Sequence, residues 1–179
     1  MTKIAMGLSF GIALSLVVIA GAELFTGNAF VLYNGWRSKT VTLTDVVRLW
    51  VVCYLGNWFG AIVLSLIFYG AAGPAGGTGQ ALANAAAMKM SLPPLVLFLK
   101  GILCNVLVCL AVWCGFRCKS DSGKLIMVFW CLYAFFTCGF EHSVAIMTVL
   151  TLGLLSPAGT AVSVGGYLYN LAFVTLGNI

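Results

Sequence analysis

The chain of 179 residues is 62% hydrophobic and only 7% charged, with a net charge of +5. Soluble domains carry about a quarter charged residues, so the composition excludes an ordinary soluble domain and indicates a polytopic membrane protein. The basic residues are few and scattered, which argues against a nucleic-acid partner and favours a role in setting membrane topology.

Five apolar segments follow one another along the chain and are predicted to be membrane helices. No charged residue occurs between Arg48 and Lys89 or after Glu141. The segments cover residues 4–34, 49–71, 93–116, 125–155 and 165–179. This pattern predicts an all-α membrane protein with one transmembrane domain over residues 1–179.

The connecting stretches predict the topology. NGWRSKTVTLTDVVR and GFRCKSDSGK carry most of the basic residues, so the positive-inside rule places both in the cytoplasm, with two spans between them. The stretches GAAGPAGGTGQALANAAAMKM and SPAGTAVSVGG then lie outside. The GGTGQ part of the first of these is predicted to be a flexible loop.

Two of the segments are longer than one straight crossing requires. Residues 4–34 contain Gly21-Ala22-Glu23, and residues 125–155 contain Gly139-Phe140-Glu141. Interruptions at corresponding places in two spans of opposite direction are typical of an inverted repeat, whose broken helices meet around a permeation site. We therefore predict two broken helices that face each other.

His142 is the only histidine, which excludes a haem held by two histidines of one chain. A lone histidine in a membrane span is either a packing residue or a group that moves protons. Its position beside Glu141, in a span predicted to be broken, favours the second role.

The other polar residues of the spans have structural and functional interpretations. Glu23 and Glu141 are either proton relays or, as we prefer, fixed acceptors for free N–H groups at the breaks. Lys89 is either an interfacial lysine or a positive charge that draws anions to an outer vestibule. Asn57 and Asn178 are expected to bond to neighbouring backbones.

No cofactor and no metal site are predicted. Cys114 and Cys118 lie one helical turn apart, but no second Cys/His pair accompanies them. There is also no nucleophile–base arrangement or phosphate-binding glycine loop, so an enzyme is not expected. Met1–Lys3 with the following apolar run also looks like a secretory signal, but that run is longer than a typical signal core.

Several motifs resemble, in order and spacing, the formate/nitrite transporter family of formate, nitrite and hydrosulfide channels. They are AGAELFTGN (20–28), the lysine of AAMKMSLP (85–93), KGILCNVLVCLAVW (100–113), CGFEHSVAIM (138–147) and VTLGNI (174–179). The resemblance implies an aquaporin-like helical bundle with an inverted repeat and two broken helices. It also implies a homopentamer in the inner (plasma) membrane, with one pore in each protomer.

The resemblance assigns residues to that pore. The polar pore residues are His142, Thr26, Asn105 and Lys89. The inner constriction comprises Leu24, Phe25, Val108 and Phe135. The outer constriction comprises Phe10 and Leu14. A bare anion crosses such apolar constrictions only at a high desolvation cost, whereas its neutral acid does not, and the proton comes either from His142 or from bulk water.

The chain departs from the family pattern in two respects. It begins at what would be the second span and ends within the sixth, so we expect a fragment without the first helix. It also carries Ile146 where the family has asparagine, which is expected to alter the loop after His142.

We therefore expect a channel for a small anion, with formate favoured over nitrite and hydrosulfide. The alternatives are a neutral-solute channel, which would have Asn-Pro-Ala turns that are missing from this sequence, and, less well supported, a membrane redox subunit. A third is that the fragment itself does not conduct.

Overall fold

The computed structural model describes residues 2–72 and 77–179, in which all regular secondary structure is α-helical. The helices are α1 (Thr2–Ala20), α2 (Phe25–Arg37), α3 (Leu43–Ala72), α4 (Gly77–Met90), α5 (Pro94–Arg117), α6 (Asp121–Cys138), α7 (Ser143–Leu155) and α8 (Val164–Asn178). This architecture confirms the predicted all-α fold.

The first apolar segment is broken, as predicted, between α1 and α2. Gly21 ends α1 with a positive φ of 69°, a conformation that favours glycine because it lacks a Cβ. The Ala22 N–H then donates to the Val17 carbonyl at 3.1 Å, which closes the last turn. The two helices are bent by 46° relative to each other.

The second break, between α6 and α7, repeats the geometry of the first. Gly139 also has a φ of 69°, and the Phe140 N–H donates to the Phe135 carbonyl at 3.0 Å. In both breaks a left-handed glycine is followed by a donor that reaches back five residues. The prediction of two matching interruptions is therefore confirmed.

Three of the described helices are individually long and apolar enough to cross a membrane, and the bent pair α1 and α2 can form a fourth span. The three are Leu43–Ala71, Pro94–Arg117 and Asp121–Cys138. Large apolar side chains cover their outer faces; Phe59, for example, is 70% exposed. Such faces suit contact with lipid rather than water.

Helix α4 was not predicted from the sequence. Residues 77–90, which include part of the expected flexible GGTGQ loop, form a helix; residues 73–76 lie outside the described part of the chain. The flexible-loop prediction was wrong for residues 77–80, because the alanine-rich sequence that follows the glycines has a high helix propensity. Ala86 of α4 packs directly on Gly153 of α7.

Close helix packing depends on glycines at two crossings. In α1, a Cβ on Gly11 would lie 2.6 Å from the Phe129 ring of α6. In α5 and α8, Gly101 and Gly177 face each other, and a Cβ on Gly177 would clash with the Phe98 carbonyl. Small residues let membrane helices approach at the level of their backbones.

The core forms two clusters. One joins α3, α4, α5, α7 and α8 around Met147, Leu150 and Val174. The other joins α1, α5 and α6 around Val108, Leu132 and Phe135. Helix α5 contributes to both clusters, so it connects the two halves of the bundle.

Candidate functional site

A cavity of about 110 Å³ lies where the two helix breaks come together. Leu24 of the first break and His142 of the second both line it. The other lining residues are all apolar: Phe10, Ala13, Leu14, Val17, Val108, Leu132, Phe135, Val144 and Ala145. His142 therefore provides the one polar side chain of an otherwise apolar wall.

The His142 ring is fixed by hydrogen bonds from both of its nitrogens. His142 is the N-cap of α7, and its Nδ1 accepts from the Ala145 N–H at 3.2 Å. Because Nδ1 is an acceptor, the neutral ring carries its proton on Nε2. That nitrogen then donates to Thr26 Oγ1 of α2, 2.8 Å away. The bond joins the two broken helices.

This arrangement has a chemical consequence for the imidazole. A second proton, on Nδ1, would face the Ala145 N–H and break the cap bond. Thr26 is fully buried and His142 is 7% exposed, so solvent is poorly placed to replace a lost partner. If the His142 ring becomes cationic, α7 therefore loses the hydrogen bond from the Ala145 N–H that caps its first turn.

Five of the six residues expected at the constrictions line this same cavity, namely Phe10, Leu14, Leu24, Val108 and Phe135. The Phe10 and Phe135 rings meet edge to face with centroids 5.6 Å apart. Phe135 also stacks on His142, with centroids 5.8 Å apart. Aromatic and aliphatic groups therefore surround the imidazole.

A second cavity of about 300 Å³ adjoins the first on the side of the predicted cytoplasmic loops. Leu14, Val17 and Leu24 line both cavities, whereas Asn28 and Lys124 line only the second. Leu14 and Leu24 thus both lie at the boundary between the cavities. Leu14 was expected, with Phe10, at an outer constriction. The division into inner and outer constrictions remains a prediction.

Four residues that were expected in the pore do not line this cavity: Thr26, Lys89, Phe25 and Asn105. Phe25 is buried and packs edge to face on Tyr54 of α3, with centroids 4.9 Å apart. Asn105 lines a groove beside α5 and α8, and its Nδ2 donates to the Asn178 carbonyl. Neither residue lines the cavity that contains His142.

Lys89 is paired with a carboxylate. Its Nζ donates to Glu141 Oε2 at 2.7 Å. The Lys89 side chain is 20% exposed and that of Glu141 only 3%, so Glu141 is the more deeply buried partner. The positive charge of Lys89, which we expected at an outer vestibule, is thus paired with Glu141, the residue before His142.

Asn57 and Asn178 provide the backbone contacts that we expected from the two glutamates. Each carboxamide bonds to a main-chain carbonyl within one break and to the N–H of the first residue of the helix that follows it. The Glu23 carboxylate instead accepts from Asn28 Nδ2 at 2.6 Å. The sequence contains a signal for the paired asparagines, because Leu-Gly-Asn occurs at 55–57 and again at 176–178.

Ile146 lies in the apolar cluster with Met147 and Leu150, and is 3% exposed. Its N–H donates to the His142 carbonyl at 2.9 Å, in the first turn of α7. The isoleucine side chain is therefore accommodated by packing, and the helix begins at Ser143 with this residue in place.

The chain was compared with known proteins. The family model described as formate/nitrite transporter matches residues 1–179. The nitrite transporter NirC of Salmonella typhimurium is 39% identical over 176 residues, which are 98% of this chain and 65% of NirC. The formate channel FocA of Haemophilus influenzae is 31% identical over 159 residues, which are 87% of this chain and 56% of FocA.

Solved structures agree with the sequence matches. A channel described as an FNT family ion channel has a TM-score of 0.93 and 39% identity, with coverage of 98% of this chain and 71% of that one. A pentameric formate channel with formate bound has a TM-score of 0.87 and 30% identity, with coverage of 99% and 77%.

Proposed function

The chain belongs to the formate/nitrite transporter family, and on that premise we propose that it passes a small monovalent anion across the membrane, as its acid or together with a proton. The family consists of transporters and channels rather than enzymes. The chain is a multi-pass membrane protein with several helices able to span a bilayer.

The observation that carries the proposal is the apolar cavity with one polar edge. Removing a bare anion from water costs many kcal/mol. Phenylalanine, leucine and valine side chains form no hydrogen bonds that could compensate for that cost. A neutral weak acid has a much lower desolvation cost, and His142 is the one polar side chain that lines the cavity. The geometry therefore suits an acid that is protonated before it reaches the cavity.

The substrate is proposed as the monovalent anion of a small weak acid. The relatives include nitrite transporters at 39% and 38% identity and a formate channel at 31%. These values support nitrite as strongly as formate, although the sequence motifs alone led us to favour formate. Both anions are small enough for a cavity of about 110 Å³.

The assembly and the location are proposed from the same relatives. A solved structure that resembles this chain is described as a pentameric formate channel, and we propose a homopentamer in the inner (plasma) membrane. The chain spans about 65% of the length of NirC; the proposed activity and assembly are those of the whole channel.

The test is anion uptake into proteoliposomes from about pH 5 to about pH 8, over which the protonated fraction of a carboxylic acid falls steeply. We expect uptake of formate and nitrite to rise as pH falls, and each anion to compete with the other. His142→Ala is expected to abolish uptake, while an exposed control such as Lys119→Ala leaves it unchanged. Uptake of glycerol that is independent of pH, without anion uptake, would contradict the proposal and favour a neutral-solute channel.

A further inference from the structure

A side chain of α8 holds one of the last carbonyl groups of α4. The final four carbonyls of a helix have no partner inside it, and Lys89 is the penultimate residue of α4. Asn170 Nδ2 donates to the Lys89 carbonyl at 2.8 Å. Asn170 is fully buried, and its Oδ1 has no protein partner among the described residues. The Lys89 carbonyl is therefore the contact that orients this carboxamide.

The preceding residue of α8, Tyr169, holds the main chain just beyond the end of α4. The Tyr169 hydroxyl donates to the Leu92 carbonyl at 2.9 Å. Lys89 lies in the last turn of α4, and Leu92 lies in the connection between α4 and α5. Two consecutive side chains of α8 thus fix the main chain at the end of α4 and just beyond it.

The position of the Lys89 main chain matters because the Lys89 side chain forms an ion pair with Glu141. Lys89 Nζ lies 2.7 Å from Glu141 Oε2, and Glu141 directly precedes His142. Helix α4 has few large side chains with which to hold itself, and its sequence is GTGQALANAAAMKM. A hydrogen bond at its C-terminal end is therefore well placed to determine where Lys89 stands.

We propose that Asn170 is a positioning residue for Lys89: its bond to the Lys89 carbonyl sets the place of the ammonium group opposite Glu141, beside the candidate site. The effect of Asn170 on the Lys89–Glu141 ion pair does not depend on transport. The expected effect on anion uptake rests on the proposed function.

The direct test is chemical labelling of Lys89 in the purified full chain. An amine held 2.7 Å from a buried carboxylate reacts more slowly with acetic anhydride than a free amine. We expect Asn170→Leu, which keeps the branched shape and removes the donor, to speed labelling of Lys89 roughly 2- to 10-fold, the range of one hydrogen bond. Mass spectrometry of the labelled peptide measures the rate, and Lys119 in the same sample is the internal reference.

Two further variants separate this role from general packing. Asn170→Ala also lacks the donor but cannot clash, so it should speed labelling as Asn170→Leu does. Tyr169→Phe removes the neighbouring hydroxyl and should change Lys89 labelling less. Labelling at the wild-type rate in a folded Asn170 variant would overturn the proposal. Loss of folded protein in both Asn170 variants would also overturn it, since Asn170 would then support the whole fold.

Anion uptake provides a second readout. If Asn170 acts through Lys89, adding Asn170→Leu to Lys89→Met should not change the half-saturating anion concentration further. Additive effects would show that Asn170 acts by another route. Absence of uptake by the wild-type chain would count against the proposed function, and the labelling result would still decide the role of Asn170.

Discussion

Asn57 of α3 and Asn178 of α8 make the same pair of hydrogen bonds, one pair at each helix break. Asn57 accepts from the Phe25 N–H at 3.0 Å and donates to the Glu23 carbonyl at 3.0 Å. Asn178 accepts from the Ser143 N–H at 2.8 Å and donates to the Glu141 carbonyl at 3.1 Å. One carboxamide at each break thus satisfies a donor and an acceptor that the interrupted helix leaves free.

The two asparagines are expected to differ in their contribution to stability. Asn178 also donates to the Gly101 carbonyl of α5 at 2.9 Å, whereas among the described residues the Asn57 carboxamide bonds to no helix besides α2 and its own α3. Leaving buried groups unpaired costs about 1–3 kcal/mol each, so Asn178→Leu should lower the thermal unfolding temperature in detergent more than Asn57→Leu. An equal or smaller effect of Asn178→Leu would contradict the bonding pattern.

Separate variants can distinguish the role of His142 as the N-cap of α7 from its role in proton transfer. Asparagine is a good N-cap, so His142→Asn should keep the start of α7, whereas His142→Ala should lose about 0.5–2 kcal/mol of stability. If the proton comes from bulk water, His142→Asn should retain measurable anion uptake that still rises at low pH. Uptake that is equally absent from both variants would instead identify the imidazole as the proton donor.

Thr26 provides the hydroxyl that pairs with His142 Nε2. Thr26→Val keeps the shape but leaves the imidazole N–H unpaired in a buried site, at a cost of about 1–3 kcal/mol. Thr26→Ser keeps the hydroxyl and is the matched control. We expect Thr26→Val to reduce anion uptake much more than Thr26→Ser does, and proteoliposome uptake measures both. Similar uptake by the two variants would show that the methyl group matters rather than the hydroxyl.

The Lys89–Glu141 pair should respond unequally to loss of either partner. Lys89→Met leaves a carboxylate with 3% exposure unpaired, whereas Glu141→Gln leaves a lysine with 20% exposure that can reach water. Removing one partner of a buried pair costs about 3–5 kcal/mol, so Lys89→Met should be the more destabilising change. The double variant should recover part of the loss; purely additive losses would rule out the coupling.

The repeated Leu-Gly-Asn motif offers a matched pair of glycines. A Cβ at Gly177 would clash with backbone atoms of α5, whereas a Cβ at Gly56 would meet no other atom within 4 Å. Gly177→Ala should therefore cost about 1–3 kcal/mol through overpacking, while Gly56→Ala should be neutral or slightly stabilising. Thermal unfolding of the two variants measures the difference, and equal effects would argue against the close α5–α8 crossing.

The sequence predicted the helix breaks because their causes are local. Gly21 and Gly139 are followed within two residues by a glutamate, in segments too long for a single crossing. Left-handed glycines end helices by their own backbone preference, with little help from tertiary contacts. The same reasoning identified His142 as a polar group of the spans, whereas Thr26 was assigned to the pore through the family resemblance; the structure joins the two residues.

The orientation of individual side chains could not be predicted in the same way. Phe25 and Asn105 both lie on helices that border the cavity region, but each turns towards another helix. Which face of a helix points inward depends on its rotation against its neighbours, and a uniformly apolar span carries no periodic signal for that rotation. Helix α4 was missed for a related reason, since glycine and alanine are common both in loops and in closely packed helices.

The hydrogen bond between Thr26 and His142 joins residues that are 116 positions apart, and this determines when the site can form during synthesis. Thr26 is synthesised and inserted before His142, because translation proceeds from the N-terminal side. The start of α7 acquires its Asn178 bonds only after nearly the whole of α8 has been translated. A nascent chain halted before residue 178 would already contain each residue that lines the cavity. It would lack the Asn178 contacts that hold the second break, so the site is completed only after α8 has been added to the bundle.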